Sequence, residues 1–186
     1  MTPEDARTSA ERYVIIACAG AAAARRSLRG SSPGWVRCRT RDEVKAFHES
    51  GHIVAAARLG LFCRAASIVP ARGVGGIALI TSKPAAGHDT AEPAIAAAAV
   101  LREPENDIAT AVRLCSLLAS ERYWRSILLT ARALRGEAER MIEKDWRVVT
   151  AVADVLLQRL VISGNDCERF LERIRPAPAS AQTLVP

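Results

Sequence analysis

The sequence predicts a mainly α-helical fold with one small β-hairpin, on two compositional facts and one pattern. Hydrophobic residues make up 49% of the 186 residues but aromatics only 4%. The core must therefore be built from Ala, Leu, Val and Ile, which favours packed helices over a β-sandwich. Strand-like runs occur only at 66–70 and 76–81, whereas helical patterning covers most of the remainder. The length suits a single domain with a real core.

In chain order, 1–10 is polar and expected to fray, and an Ala-rich helix runs from Glu11 to about Arg29. Its last turn carries Arg25, Arg26 and Arg29, which suit the negative end of the helix dipole. Gly30-Ser31-Ser32-Pro33-Gly34 reads as loop. Thr40, with Glu43 three residues on, forms a capping box that starts a helix over 41–59, and Gly60 stops it. Ala66–Pro70 and Gly76–Thr81 flank the glycine-rich turn Gly73-Val74-Gly75-Gly76 as a hairpin. Such an edge binds an extended peptide by strand addition, with Ile68, Val69, Gly75, Gly76 and Ile77 as candidate positions; its plain alternative is a ribbon capping the core. A short helix is expected over 91–101, and another from Pro104 to Leu118 with Asp107, Ala111, Leu114 and Leu118 on one face. Helices over 123–134 and 137–160 follow, broken at Gly136, and Ser163–Asp166 caps a last helix to Ile174. These elements divide the chain into an N-terminal helix and loop (1–40), a main domain (41–175) and a Pro/Ala/Ser-rich disordered tail (176–186).

The net charge is +6, nearly all of it from Arg. The cations are dispersed and lack interleaved aromatics, so a solvated surface is expected and no nucleic acid. Cys18, Cys38, Cys63, Cys115 and Cys167 are odd in number and widely spaced, with no Cys-x-x-Cys pair. That argues against a disulfide framework or a cysteine zinc site and for reduced, mostly buried thiols in the cytoplasm. The longest apolar run, Tyr13 to Ala24, is about 12 residues against the roughly 20 a membrane helix needs. It follows Glu4, Asp5 and Glu11, unlike a signal peptide.

Within the 41–59 helix, Phe47-His48-Glu49-Ser50-Gly51-His52 contains His-Glu-x-x-His. Residues four apart share one helical face, so His48 and His52 can hold one metal ion. Zn2+ suits two neutral imidazoles plus a carboxylate, with a position left for water. Glu49 is placed to take that water's proton, the chemistry of peptide-bond hydrolysis. Gly51 lets the helix pack closely at the metal, and two of the three histidines fall in the motif. For the third ligand, residue type leaves His88, Asp89, Glu92, Glu103, Glu105 and Asp107 open. Asp107 sits on an inward apolar face where a lone carboxylate is costly without a partner; its plain alternative is a first-turn acid on the helix dipole.

Phe47–Ala55 resembles the peptidase domain of the FtsH-type ATP-dependent zinc metalloproteases. Ala66–Gly73 is similar to that family's strand after the active helix, and Glu105-Asn106-Asp107-Ile108-Ala109-Thr110-Ala111 to its second signature. Trp146–Leu171 is similar to its closing helices, so the likeness spans about 41 to 173. The resemblance implies a helical, zincin-like metallopeptidase domain. It implies His48, His52 and Asp107 as zinc ligands, Glu49 as base, and a peptide or unfolded segment as substrate. No Gly-x-x-x-x-Gly-Lys-Ser/Thr occurs, so the expectation is an ATP-independent enzyme, working as a homo-oligomer or beside a separate ATPase. The family's Ala-Gly-x-Ala-Ala helix, expected between the two signatures, has its likeness earlier, at Ala17-Cys18-Ala19-Gly20-Ala21-Ala22-Ala23. The alternative is a non-catalytic, metal-stabilised helical binding or regulatory module descended from such a peptidase. A third lineage would draw its ligand from Glu103 or Glu105.

Overall fold

The computed structural model describes residues 3–29, 40–70, 75–81, 107–118 and 124–172. Helix α1 spans Pro3–Arg29 and starts well before Glu11. The early residues do not fray because Pro suits a first helical turn, Glu4 and Asp5 meet the positive end of the dipole, and Arg7 pairs with Glu11 at 3.2 Å. Helix α2 spans Arg41–Arg58 behind the expected cap. The Thr40 hydroxyl accepts from the Glu43 amide at 3.2 Å, and the Glu43 carboxylate accepts from the Thr40 amide at 2.7 Å. Gly60, with φ +73°, takes the left-handed conformation that ends the helix.

Strands β1 (Phe62–Ser67) and β2 (Ile77–Thr81) pair antiparallel, with a bulge between Cys63 and Ala65. The hairpin is thus present, but its first strand begins four residues earlier than expected, and Ile68-Val69-Pro70 lies beyond it. It is also not alone. β3 (Val161–Ser163) pairs antiparallel with the other side of β1, giving the order β2-β1-β3. Three residues directly after a helical pattern carry no period of their own, which is why the sequence does not announce this strand.

Helices α3 (Asp107–Leu118), α4 (Trp124–Lys144), α5 (Trp146–Arg159) and α6 (Gly164–Leu171) complete the chain. The expected break at Gly136 is corrected: α4 runs through it and ends at Asp145. A glycine inside a helix costs only about 1 kcal/mol. Asp145 instead is buried and holds Arg58 through two bonds, of 2.6 and 2.5 Å. This pair ties the end of α2 to the α4–α5 corner.

The main core joins Ile15, Ile16, Ala19 and Ala23 of α1 to Phe47, Ile53 and Val54 of α2, and to α5, α6 and the sheet. The N-terminal helix therefore shares one core with the rest. Phe47 stacks on Trp146 with ring centroids 5.3 Å apart. A smaller cluster of Val14, Ala17, Ala111 and Cys115 fastens α3 to α1. Cys18, Cys63, Cys115 and Cys167 are free, and all but Cys18 are buried. Among the described residues no helix is long and apolar enough to cross a membrane. The expected helix over 91–101, His88, Asp89, Glu92, Glu103, Glu105, Cys38 and the 176–186 tail lie outside the described residues.

Candidate metal centre

The site begins with two glycines at the crossing of α1 and α2. A Cβ at Gly51 would lie 2.5 Å from the Ala19 carbonyl oxygen and 2.8 Å from the Ala23 Cβ. A Cβ at Gly20 would lie 2.5 Å from His52 Nε2 and 3.0 Å from His48 Nε2. Only glycine at both positions lets α1 lie directly against the face of α2 that carries the imidazoles. The Ala17–Ala23 string, whose sequence is similar to the Ala-Gly-x-Ala-Ala helix named above, is the stretch that makes this approach.

From α3, Asp107 reaches the same point. Its Oδ2 is 2.8 Å from His48 Nε2 and 3.2 Å from His52 Nε2, and the two Nε2 atoms are 3.1 Å apart. His48, His52 and Asp107 form a group that could hold a metal ion. A tetrahedral site with ligand bonds of about 2.0–2.1 Å has ligand–ligand edges of roughly 3.3 Å. The observed triangle is within about half an ångström of the right size for three of the four positions.

Proton chemistry points the same way. The His52 Nδ1–H donates to the Ile16 carbonyl at 2.8 Å. Neutral His52 therefore presents a lone pair from Nε2, the usual way in which an outer partner selects the metal-binding tautomer. That lone pair faces a carboxylate oxygen and a second imidazole nitrogen. An Nε2–H of His48 donated to Asp107, a proton on His52, or a metal cation can each hold such a set together. Burial disfavours a charged His52, but the Asp107 hydrogen bond and the charges of Glu49 and Asp107 outweigh it and raise the His52 pKa. Burial likewise raises the Asp107 pKa, and the hydrogen bonds and charges of His48 and His52 reverse this and leave it far below the usual carboxylate range. The field that favours a proton here favours a metal cation for the same reason.

The triad is neither sealed nor fully open. The His52 side chain is 9% exposed, while His48 and Asp107 are about 30% exposed. Gly20 closes the α1 side, so any approach to the ligand atoms comes from elsewhere. Glu49, one position round from His48 and buried, runs toward the start of β2. A Cβ at Gly76 would lie 2.5 Å from Glu49 Oε1.

Of the candidate peptide positions, Ile68 and Ile77 are buried, Val69 and Gly75 are exposed, and Gly76 is half-buried. Only Val69, Gly75 and Gly76 present surface to a ligand. β2 is an edge strand of the sheet among the described residues. Sequence reasoning missed Gly20 and the Ile16 carbonyl as parts of the centre. The small-residue run around Gly20 signalled a close helix crossing, but a backbone acceptor leaves no mark in a sequence. No protein-family model, curated protein or solved structure matches the chain.

Proposed function

We propose that the chain is a zinc-dependent metalloendopeptidase of FtsH-like, zincin-like type, acting without ATP on peptides or unfolded segments. The observation that carries this reading is the convergence of His48 Nε2, His52 Nε2 and Asp107 Oδ2 within 3.2 Å of one another, 59 residues apart in sequence at the widest. Two nitrogens and a carboxylate oxygen are a donor set that zinc accepts. Bound there, zinc would supply Lewis acidity, acidifying a water and polarising a peptide carbonyl.

The chain's own residues divide the remaining work. Asp107 balances charge beside the two imidazoles. Ile16 holds His52 in its ligating tautomer. Glu49 lies between the triad helix and β2, where its carboxylate takes a proton from the attacking water and passes it to the leaving amine. A structural site has no need of a buried glutamate in that position. The edge of β2 beside Gly75 and Gly76 pairs with an extended substrate backbone. The free cysteines fit work in a reducing compartment such as the cytoplasm.

The test measures zinc per chain and peptide or casein cleavage for wild type, Glu49→Gln and Asp107→Ala. About one zinc is expected in wild type. Glu49→Gln should keep the zinc and lose about a hundredfold or more in turnover. Asp107→Ala should bind zinc more weakly. Wild type purified without zinc and unable to take it up would sink the reading. Zinc without cleavage of any peptide library would favour the non-catalytic, metal-stabilised binding module.

A further inference from the structure

The last turns of α1 carry a second constellation that the metal chemistry does not use. A cavity of about 490 Å³ lies where α1 meets α4 and the start of α5, and Arg25, Arg26, Arg29, Glu139, Glu143 and Trp146 are among its walls. Its lining on α1 begins at Ala22, about 3 Å along the helix from Gly20, and reaches Arg26 at about 9 Å, at 1.5 Å per residue. Arg25 Nη2 donates to Glu139 Oε1 at 3.0 Å, and Arg26 Nη1 pairs with Glu143. The Arg26 guanidinium also lies over the Trp146 ring, 4.7 Å from its centroid. Arg29 makes no ion pair with any described residue.

The charges do not close. Among the described residues three guanidinium groups face two carboxylates, and the Arg26 Nε is buried with no acceptor. A buried donor left unpaired is unfavourable, and an incoming acceptor relieves it. The two existing pairs offer little resistance. Glu139 and Glu143 are 46% and 61% exposed, and ion pairs so close to water contribute little and exchange readily. The C-terminal end of α1 opposes an anion with about half a negative charge, against three full positive ones. Guanidinium groups present flat, paired donors that match the oxygens of phosphate and carboxylate.

We propose that this cavity is an oxyanion-binding site, taking the phosphate or carboxylate group of a small ligand on Arg25, Arg26 and Arg29. The ligand displaces Glu143 from Arg26, reaches the unpaired side of that guanidinium as it turns, and uses Arg29 as its second anchor. The proposal stands apart from the peptidase reading and does not rest on it.

Calorimetric titration of the intact protein with inorganic phosphate, and separately with acetate, tests it on wild type, Arg29→Gln, Arg26→Gln and Glu143→Gln. One saturable site is expected in wild type. Arg29→Gln should weaken it about tenfold, the usual effect of losing one charged hydrogen-bond donor. Glu143→Gln should tighten it, because it removes the competing carboxylate, a sign that mere loss of structure would not give. Phosphate binding alone identifies a phosphate ligand; acetate competing on equal terms identifies a carboxylate. Arg29 is exposed, so Arg29→Gln carries the test if Arg26→Gln fails to fold. The proposal is overturned by the absence of saturable binding of either anion, by unchanged affinity in Arg29→Gln, or by weaker affinity in Glu143→Gln. It is equally overturned by a phosphate signal that survives Arg29→Gln and vanishes in His48→Ala, which belongs to the metal centre.

Discussion

The two flanks of α2 handle their functional side chains by different means. Toward α1 every contact is made by the backbone of α1: the Ala19 carbonyl against Gly51, Gly20 against the imidazoles, and the Ile16 carbonyl on His52 Nδ1. Only the imidazoles there can turn, and His52 only by giving up its bond to Ile16. Toward the sheet the contact is one carboxylate, Glu49, against one glycine, Gly76, at the start of an edge strand. The first flank fixes where the ligand atoms stand. The second leaves a buried acid beside a strand edge. A division of this kind is expected of a site that must be rigid at its metal and adaptable at its substrate.

Substitutions on the α1 flank should therefore remove metal or fold, and they carry the largest expected effects. Gly51→Leu drives a side chain into the Ala19 carbonyl and Ala23, and neither can move without separating the helices. The expected loss is about 3 kcal/mol of stability, measured by urea unfolding. Gly20→Ala meets the His52 ring instead. The ring must turn, breaking its bond to Ile16 and the triangle with it. Metal affinity should fall about a hundredfold, read by competition with a chelator. A Gly20→Ala protein with unchanged affinity would show that α1 packs beside the centre without setting it.

The sheet flank should respond in the opposite way. A Cβ at Gly76 meets the Glu49 side chain, Oε1 at 2.5 Å and Cδ and Cγ at 3.1 Å, and none of these nearest atoms is a histidine or aspartate ligand atom, so Gly76→Ala should keep its metal and lose about 1 kcal/mol of stability. In the proposed peptidase mechanism, cleavage should nevertheless drop about a hundredfold, because Glu49 is displaced from the position proposed for the base. Equal losses of metal and turnover in this variant would erase the distinction between the flanks.

How much of this could be read from the residues follows the same division. Thr40 and Glu43 announce the start of α2 locally, and His48, Glu49 and His52 are placed by helical spacing alone. Asp107 stood among six candidates by residue type, because a ligand 55 residues away is joined by tertiary packing that no spacing encodes. The helix break was misplaced for a related reason. Gly136 is a strong local signal at a half-buried position with open space beside it, whereas Asp145 acts through Arg58 from another element. β3 went unseen because three residues become a strand only when β1 offers them a ladder.

The smallest effect belongs to the sheet side, where α6 starts at Ser163 and packs Cys167 and Leu171 into the core. The Ser163 hydroxyl accepts from the Asp166 amide at 3.2 Å and donates to the Asp166 carboxylate at 3.0 Å. Burial works to raise the Asp166 pKa, but these bonds to Ser163 and the nearby Arg159 charge hold it below its usual 3.8. A carboxyl depressed by folding stabilises the native state fully above its unfolded pKa, and the contribution fades as the pH falls through the folded one. Asp166→Asn should thus cost about 0.5–1 kcal/mol at pH 7, in the range of a lost helix cap. The gap to wild type should close on acidification below about pH 3.8, the range the depressed carboxyl sets. Urea unfolding of both proteins across this range checks it. A gap that widens on acidification would mean that Asp166 is held by something other than this cap. A gap that closes while zinc binding at neutral pH stays equal in the two proteins would show that the sheet flank can be loosened at its C-terminal helix without disturbing the ligands on the α1 flank.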